Sequence, residues 1–254
     1  MAKRHDLEVL SKDDIFFIDV DGQRLKSPAG NEISSGNKAI IDSISHELSG
    51  FKNAHFENGI LISPRSLSLY LIMSTEIDFV RAGKNPFNDI LSCIQTDQMF
   101  SNTAGHPMVS MYQMESRGPG QDFLDENCIP YKPLHHYEPD EITSLEVLYR
   151  TAVENLSNHE KAVLINLAFV AECQFTFAIL FIQGRCSDKE FAIMAFSSTE
   201  DVSLIVGEKP IGGFFSIPDE RSSSARKREF NKIIKSYKHS CGICKKYLDI
   251  MRAS

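Results

Sequence analysis

Between residues 13 and 62 apolar and polar positions alternate in short runs, the period of strands with one buried face. Two such runs flank Asp21-Gly22. Asp-Gly between alternating segments predicts a hairpin, because a type I′ turn needs positive φ at both central residues. Pro28, Gly30 and Asn31 punctuate a second turn. One segment changes period: Ile40, Ile41, Ile44 and Leu48 fall on a single helical face, and Gly50 follows as a stop.

From Ser63 the pattern is helical. Ser63-Pro64 reads as a cap with Pro at the first helical position, and Leu67, Tyr70, Leu71, Ser74, Ile77 and Asp78 continue the period. Asn85-Pro86 repeats that start ahead of Ile90-Leu91. Residues 101–141 are rich in Pro, Gly and polar groups and read as a variable segment. A helical block follows over 142–206. Ile142, Leu145, Leu148, Ala152 and Leu156 form one stripe, whereas Val163–Val170 is apolar nearly all round, as an enclosed central helix would be. Phe175–Ile182 is a second apolar helix, ended by Gly184. Ser187 and Glu190 form a capping box ahead of Phe191. A last helix starts near Ser224, with Phe230, Ile233, Ile234 and Tyr237 inward. Strands followed by helices give an α+β chain.

With 42% hydrophobic and 24% charged residues in 254, the chain falls among ordinary soluble globular proteins. Leu164–Leu180 comes closest to a membrane span, but Asn166, Glu172 and Gln174 interrupt it, so buried helices are expected and no membrane insertion. The start, Met1-Ala2-Lys3-Arg4, has no apolar stretch behind it, so neither a secretory signal nor an Arg- and Ser-rich transit peptide is expected. Cys93, Cys128, Cys173, Cys186, Cys241 and Cys244 are scattered, which predicts free thiols. Charge is uneven: residues 221–254 hold ten Lys or Arg against two Asp or Glu, a net +8, so the rest carries −15 of the overall −7. A basic run alone establishes only electrostatics, and a solvated helix face accounts for this one, so no nucleic-acid partner is expected.

Candidate chemistry is sparse. Gly30 to Lys38 approaches a phosphate-binding loop, but Asn37 separates the second Gly from Lys38 and Ala39 replaces the hydroxyl residue. Cys241-Gly242-Ile243-Cys244 follows His239, yet a structural zinc site needs four ligands and no second pair stands at a usual spacing. Two surface or half-buried thiols are expected there. His135-His136 lies on a loop beside Asp140 and Glu141 and reads as solvated. Asp19 and Asp21, two apart on a strand, would share a face able to seat a cation, but the turn already accounts for Asp21. No catalytic constellation emerges, and no metal or cofactor is expected.

The phrase Asp21-Gly22-Gln23-Arg24-Leu25-Lys26-Ser27-Pro28-Ala29-Gly30-Asn31 resembles the N-terminal signature of the F-type ATP synthase assembly chaperones specific for the α subunit, the "ATP-twelve" family. Further phrases of that family follow in order. Ile44-Ser45-His46-Glu47-Leu48 fills a slot that usually ends in Trp, Ser74-Thr75-Glu76-Ile77-Asp78 matches at Thr75, Ile77 and Asp78, and Thr96-Asp97 closes the next helix. After the variable middle come the two apolar helices, the short capped helix, and an acidic phrase, Thr199-Glu200-Asp201 to Val206-Gly207, with Val206 in place of a second Trp. The resemblance covers roughly residues 15–210.

The resemblance implies a small, mostly β N-terminal domain with one inserted helix (residues 1–62) and an all-helical C-terminal domain (63–254) that ends in the basic helix 221–254. It implies no enzymatic activity. The expected function is to hold the unassembled ATP synthase α subunit and shield its apolar subunit interface. The family's acidic phrase carries a functionally important Glu, for which Glu200 is the best positional match and Asp201 the fallback as partner-binding residues; the alternative is an exposed first-turn carboxylate favoured by the helix dipole. From a different class, a small thiol- or metal-dependent enzyme would use His239, Cys241 and Cys244. The expected compartment is the bacterial cytoplasm, or the mitochondrial matrix if a leader was removed.

Overall fold

A computed structural model describes residues 5–51, 54–62, 67–84, 86–97, 99–100, 118–170, 174–199, 208–211, 215–218 and 221–253. The chain is α+β: most strands come first, and the part after residue 62, expected to be all-helical, also holds a two-stranded hairpin over Glu208–Ile211 and Phe215–Pro218. It divides into two compact units, one of residues 1–86, 156–166 and 242–254, the other of residues 87–155 and 167–241. Each unit joins stretches far apart in sequence.

In the first unit, strands β1 (Leu7–Lys12), β2 (Ile15–Val20), β3 (Gln23–Arg24) and β4 (Ser34–Ser35) form one antiparallel sheet in which β2 pairs with each of the others. The Asp21-Gly22 hairpin forms as expected, with φ of 54° and 83° and Val20 facing Gln23. The β1–β2 turn is Asp13-Asp14, also at positive φ. Strand β1 does not alternate in polarity, and the sequence pattern gave no sign of it. Helix α1 (Lys38–Ser49) buries Ile40, Ile41, Ile44 and Leu48, the expected face. Gly50 ends it in right-handed geometry, its N–H donating to Glu47 O, so no left-handed turn is needed. A hairpin of β5 (Phe56–Glu57) and β6 (Ile60–Leu61) follows.

Helix α2 (Leu69–Thr75) starts at the cap Ser68, whose Oγ accepts from Leu71 N; the expected start at Ser63-Pro64 lies outside the described residues. A π-turn over Glu76–Val80 continues it. The first unit also holds the start of the helix over Asn158–Val170 and the end of the helix over Ser223–Arg252, where Tyr247 and Leu248 are buried.

After a 3-10 turn at Pro86–Asn88, the second unit, which begins at Phe87, holds helix α3 (Ile90–Thr96), capped by Asp89. Of the variable segment, 101–117 lie outside the described residues, while α4 (Gly118–Asp125) is helical. Helices α5 (Pro139–Glu154), α6 (Asn158–Val170), α7 (Phe175–Ile182) and α8 (Asp188–Thr199) follow, the last behind its Ser187–Glu190 capping box. Tyr149 anchors an aromatic core, with ring centroids 5.6 Å from Phe123, 5.7 Å from Phe175 and 6.1 Å from Phe100. A hairpin of β7 (Glu208–Ile211) and β8 (Phe215–Pro218) precedes α9 (Ser223–Arg252). The apolar run 163–170 is not enclosed throughout: Val163, Leu164 and Leu167 are fully buried, but Phe169 is 79% exposed. The helix turns that residue outward although its neighbours are apolar. No helix of the described residues is long and apolar enough to cross a membrane.

Candidate functional site

Two of the phrases picked out in the sequence, Asp21–Asn31 and Ser74–Asp78, meet in space within the first unit. Ser27 Oγ and Asn31 Nδ2 both donate to Asp78 Oδ1, at 2.5 and 2.8 Å, and Ala29 N–H donates to Asp78 Oδ2 at 3.2 Å. Gly30, at φ 86°, lets the turn fold back so that Ser27 N–H reaches Asn31 O. A buried carboxylate thus receives three donors from one turn, which satisfies it without water. The glycines here shape a turn and do not cradle a phosphate. Asn37, the residue that spoils the phosphate-loop spacing, caps α1 by accepting from Ala39 N.

Two residues earlier, Glu76 is fully buried with both oxygens engaged. Arg81 Nε and Nη2 donate to Oε1, while Tyr247 Oη donates to Oε2 and His159 Nδ1 lies 2.6 Å from it. Burial pushes this carboxyl up, but the bonds from His159, Tyr247 and Arg81 outweigh it and hold Glu76 below the usual carboxylate range. Burial beside the Glu76 charge drives the Tyr247 hydroxyl far up. These three partners were not foreseen, and only the lone Glu on an otherwise apolar helical face hinted at them. Glu47 accepts from Leu69 N and Tyr70 N and so caps α2.

In the second unit Asp97 does similar work. Its Oδ2 accepts from Thr176 N and Thr176 Oγ1, both at 2.6 Å, and its Oδ1 from Met99 N. A carboxylate at the first turn of α7 is favoured by the orphan N–H groups there. With every acceptor filled by protein, these carboxylates are framework groups holding distant segments in place.

The remaining candidates do not assemble into a reactive centre. Cys241 and Cys244 are completely buried, which corrects the expectation of surface or half-buried thiols: i,i+3 spacing puts both on the inner face of α9. His239, two residues from Cys241, is exposed on the outer face. Burial pushes Cys244 up to about 12 and Cys186 higher still, so both are protonated and poorly nucleophilic at neutral pH. Among the described residues no group of three or more His, Cys, Asp or Glu is arranged to hold a metal. His135 and His136 are exposed on a 3-10 turn, as expected. Asp21 sits in its turn, bonded to Asp6 N and 2.8 Å from His5 Nδ1, and so shares no cation-binding face with Asp19. Glu200 and Asp201 lie outside the described residues, as does Val206-Gly207.

Neither a protein-family model nor a curated protein matches the chain. Among solved structures the chain is similar to Atp12 from Paracoccus denitrificans, with a TM-score of 0.58 at 14% identity over 96% of this chain and 98% of that one. An aspartate-to-lysine variant of P. denitrificans Atp12 gives 0.52 at 13% identity over 94% and 95%. The chain therefore has the Atp12 fold along nearly its whole length.

Proposed function

We propose that this protein is an Atp12-type assembly chaperone of the F-type ATP synthase, which binds the unassembled α subunit and covers the apolar surface that later faces the β subunit. The observation that carries the reading is the agreement of two independent lines. The family's phrases occur in order along the sequence, and the chain has the Atp12 fold over 96% of its length. Those phrases are bonded as a framework would be, Ser27 and Asn31 to Asp78, Glu47 to the start of α2, and Asp97 to the start of α7. A subunit awaiting its ring neighbour exposes apolar surface and risks aggregation, so a transient cover needs apolar contacts of its own. In the second unit Phe169 and Val147 are exposed at 79% and 59%.

On this reading the protein is not an enzyme and needs neither cofactor nor nucleic acid. It works beside the membrane without inserting, in the bacterial cytoplasm or the mitochondrial matrix. Glu200, with Asp201 as fallback, is the proposed partner-binding carboxylate. The test is co-expression with the α subunit of the same organism. A soluble complex that co-purifies is expected, and Glu200→Lys should weaken it with an unchanged circular dichroism spectrum. Absence of any complex, with no gain in α-subunit solubility, would overturn the reading; an unfolded Glu200→Lys chain would make Glu200 structural.

A further inference from the structure

The first unit carries an open sheet edge. Among the described residues strand β1 pairs with β2 on one side only. Asp21 N–H donates to Asp6 O, and the register pairs Glu8 with Asp19, Leu10 with Phe17 and Lys12 with Ile15. Hydrogen-bonded and non-bonded pairs alternate in an antiparallel ladder, so the peptide groups of Asp6, Glu8, Leu10 and Lys12 face β2. Those of Leu7, Val9 and Ser11 face away, and among the described residues nothing bonds them. Little blunts this edge: β1 has no Pro, and its only charges are Glu8 and the terminal Lys12.

Side-chain charge says what fits there. Across the sheet Glu8 faces Asp19, and Asp19 faces Arg24. The row runs minus, minus, plus, and like charges directly opposite one another are unfavourable. Neither the Glu8 nor the Asp19 side chain has a hydrogen bond or ion pair among the described residues, and the Arg24 guanidinium lies over the Phe17 ring. The vacant place is outside Glu8, where an added strand would run ~4.8 Å away. A cation there would complete the row. On the opposite face Leu7 and Val9 stand beside Val20 and Ile18, so the added strand's alternate residues would meet apolar neighbours.

We infer that the β1 edge captures an extended segment of the partner protein by strand addition, with a Lys or Arg of that segment against Glu8 and apolar residues on the Leu7–Val9 face. Main-chain bonds to Leu7, Val9 and Ser11 supply attraction, and the cation supplies selectivity. The inference rests on the chaperone reading for the partner's identity, but not for the edge itself.

The experiment therefore has two arms. In the first, the full chain is mixed with a synthetic peptide of about ten alternating valines and lysines, or the same peptide with glutamate for lysine, and amide exchange is followed. Slowed exchange at Leu7, Val9 and Ser11 with the lysine peptide only is expected, and Glu8→Lys should reverse the preference. No protection, equal protection by both peptides, or a preference untouched by Glu8→Lys would overturn the inference. Protection that grows with protein concentration alone, Lys12 of one copy meeting Glu8 of another, would overturn it in favour of self-pairing.

In the second arm the chain is co-expressed with the ATP synthase α subunit, and Glu8→Lys and Val9→Pro are expected to cut co-purification several-fold. Val9→Pro removes only an outward N–H, but if it disturbs the fold, Glu8→Lys decides, being an exposed residue with no bond to lose. Undiminished binding by the variants sinks the edge and leaves the chaperone reading intact. Peptide capture without α-subunit binding does the reverse.

Discussion

Ser27 Oγ and Asp78 Oδ1 lie 51 positions apart in sequence and 2.5 Å apart in space. The bond ties the Pro28–Asn31 turn to the π-turn that follows α2, and both ends belong to phrases by which the chain resembles one family. At these positions the phrases form a structural joint.

Removal of that joint has a measurable cost. Asp78→Ala strands the Ser27 hydroxyl, the Asn31 amide and the Ala29 N–H, and should destabilise the protein by about 2–4 kcal/mol. Urea unfolding followed by circular dichroism measures it. A loss no larger than that of an exposed-site control such as Asp42→Ala would contradict the assignment.

The Glu76 cluster predicts an acid limb. Its carboxyl sits below the ordinary value in the folded chain, so the folded state binds fewer protons than the unfolded one there. The stabilisation is present above the unfolded-state value of about 4.3 and is lost as pH falls through the lower folded value. Stability against urea should therefore fall on acidification, and Glu76→Gln should flatten part of that slope. Other carboxylates held low, Glu160 by Arg252 and Ser157 against its burial and Glu141 by Lys132, leave a residual slope.

Two glycines at nearly equal φ separate conformational strain from steric strain. Gly22 (φ 83°) has open space where a Cβ would go, and Gly22→Ala should cost about 1 kcal/mol. At Gly59 (φ 81°) a Cβ would stand 2.0 Å from Arg24 O, a backbone atom that cannot swing aside. Gly59→Ala should be the more damaging by about 2 kcal/mol or more, read from the two melting temperatures.

Thiol labelling checks the reading of the Cys241–Cys244 pair. In the native protein Cys128, which is exposed, should react first with an aromatic disulfide reagent, whereas Cys186, Cys241 and Cys244 should react only after denaturation. Mass mapping of the labelled sites gives the order. Burial also makes stability fall on the alkaline side. Cys244 and Tyr137, each pushed up to about 12 mainly by burial, stay protonated in the folded chain while the unfolded chain ionises from about 8.5 for thiols and about 10 for tyrosines. Rapid modification of native Cys244 would reopen the thiol-enzyme alternative.

Local chemistry was legible in the sequence because it acts over a few residues. Asp21-Gly22 had to turn, Ile40, Ile41, Ile44 and Leu48 had to face inward, and Ser187 with Glu190 had to cap, since each depends on backbone geometry that neighbours set. The order of phrases likewise needed only the chain. The tertiary structure alone decided the rest. Strand β1 was hidden because Leu7–Lys12 lacks alternation and gains its identity from pairing with β2. The roles of Glu76, Asp78 and Asp97 were hidden because a carboxylate's partners come from wherever the fold places donors, here as far off as Tyr247, 171 positions away. Periodicity reports which face of an element is buried, and it carries no information about what that face meets.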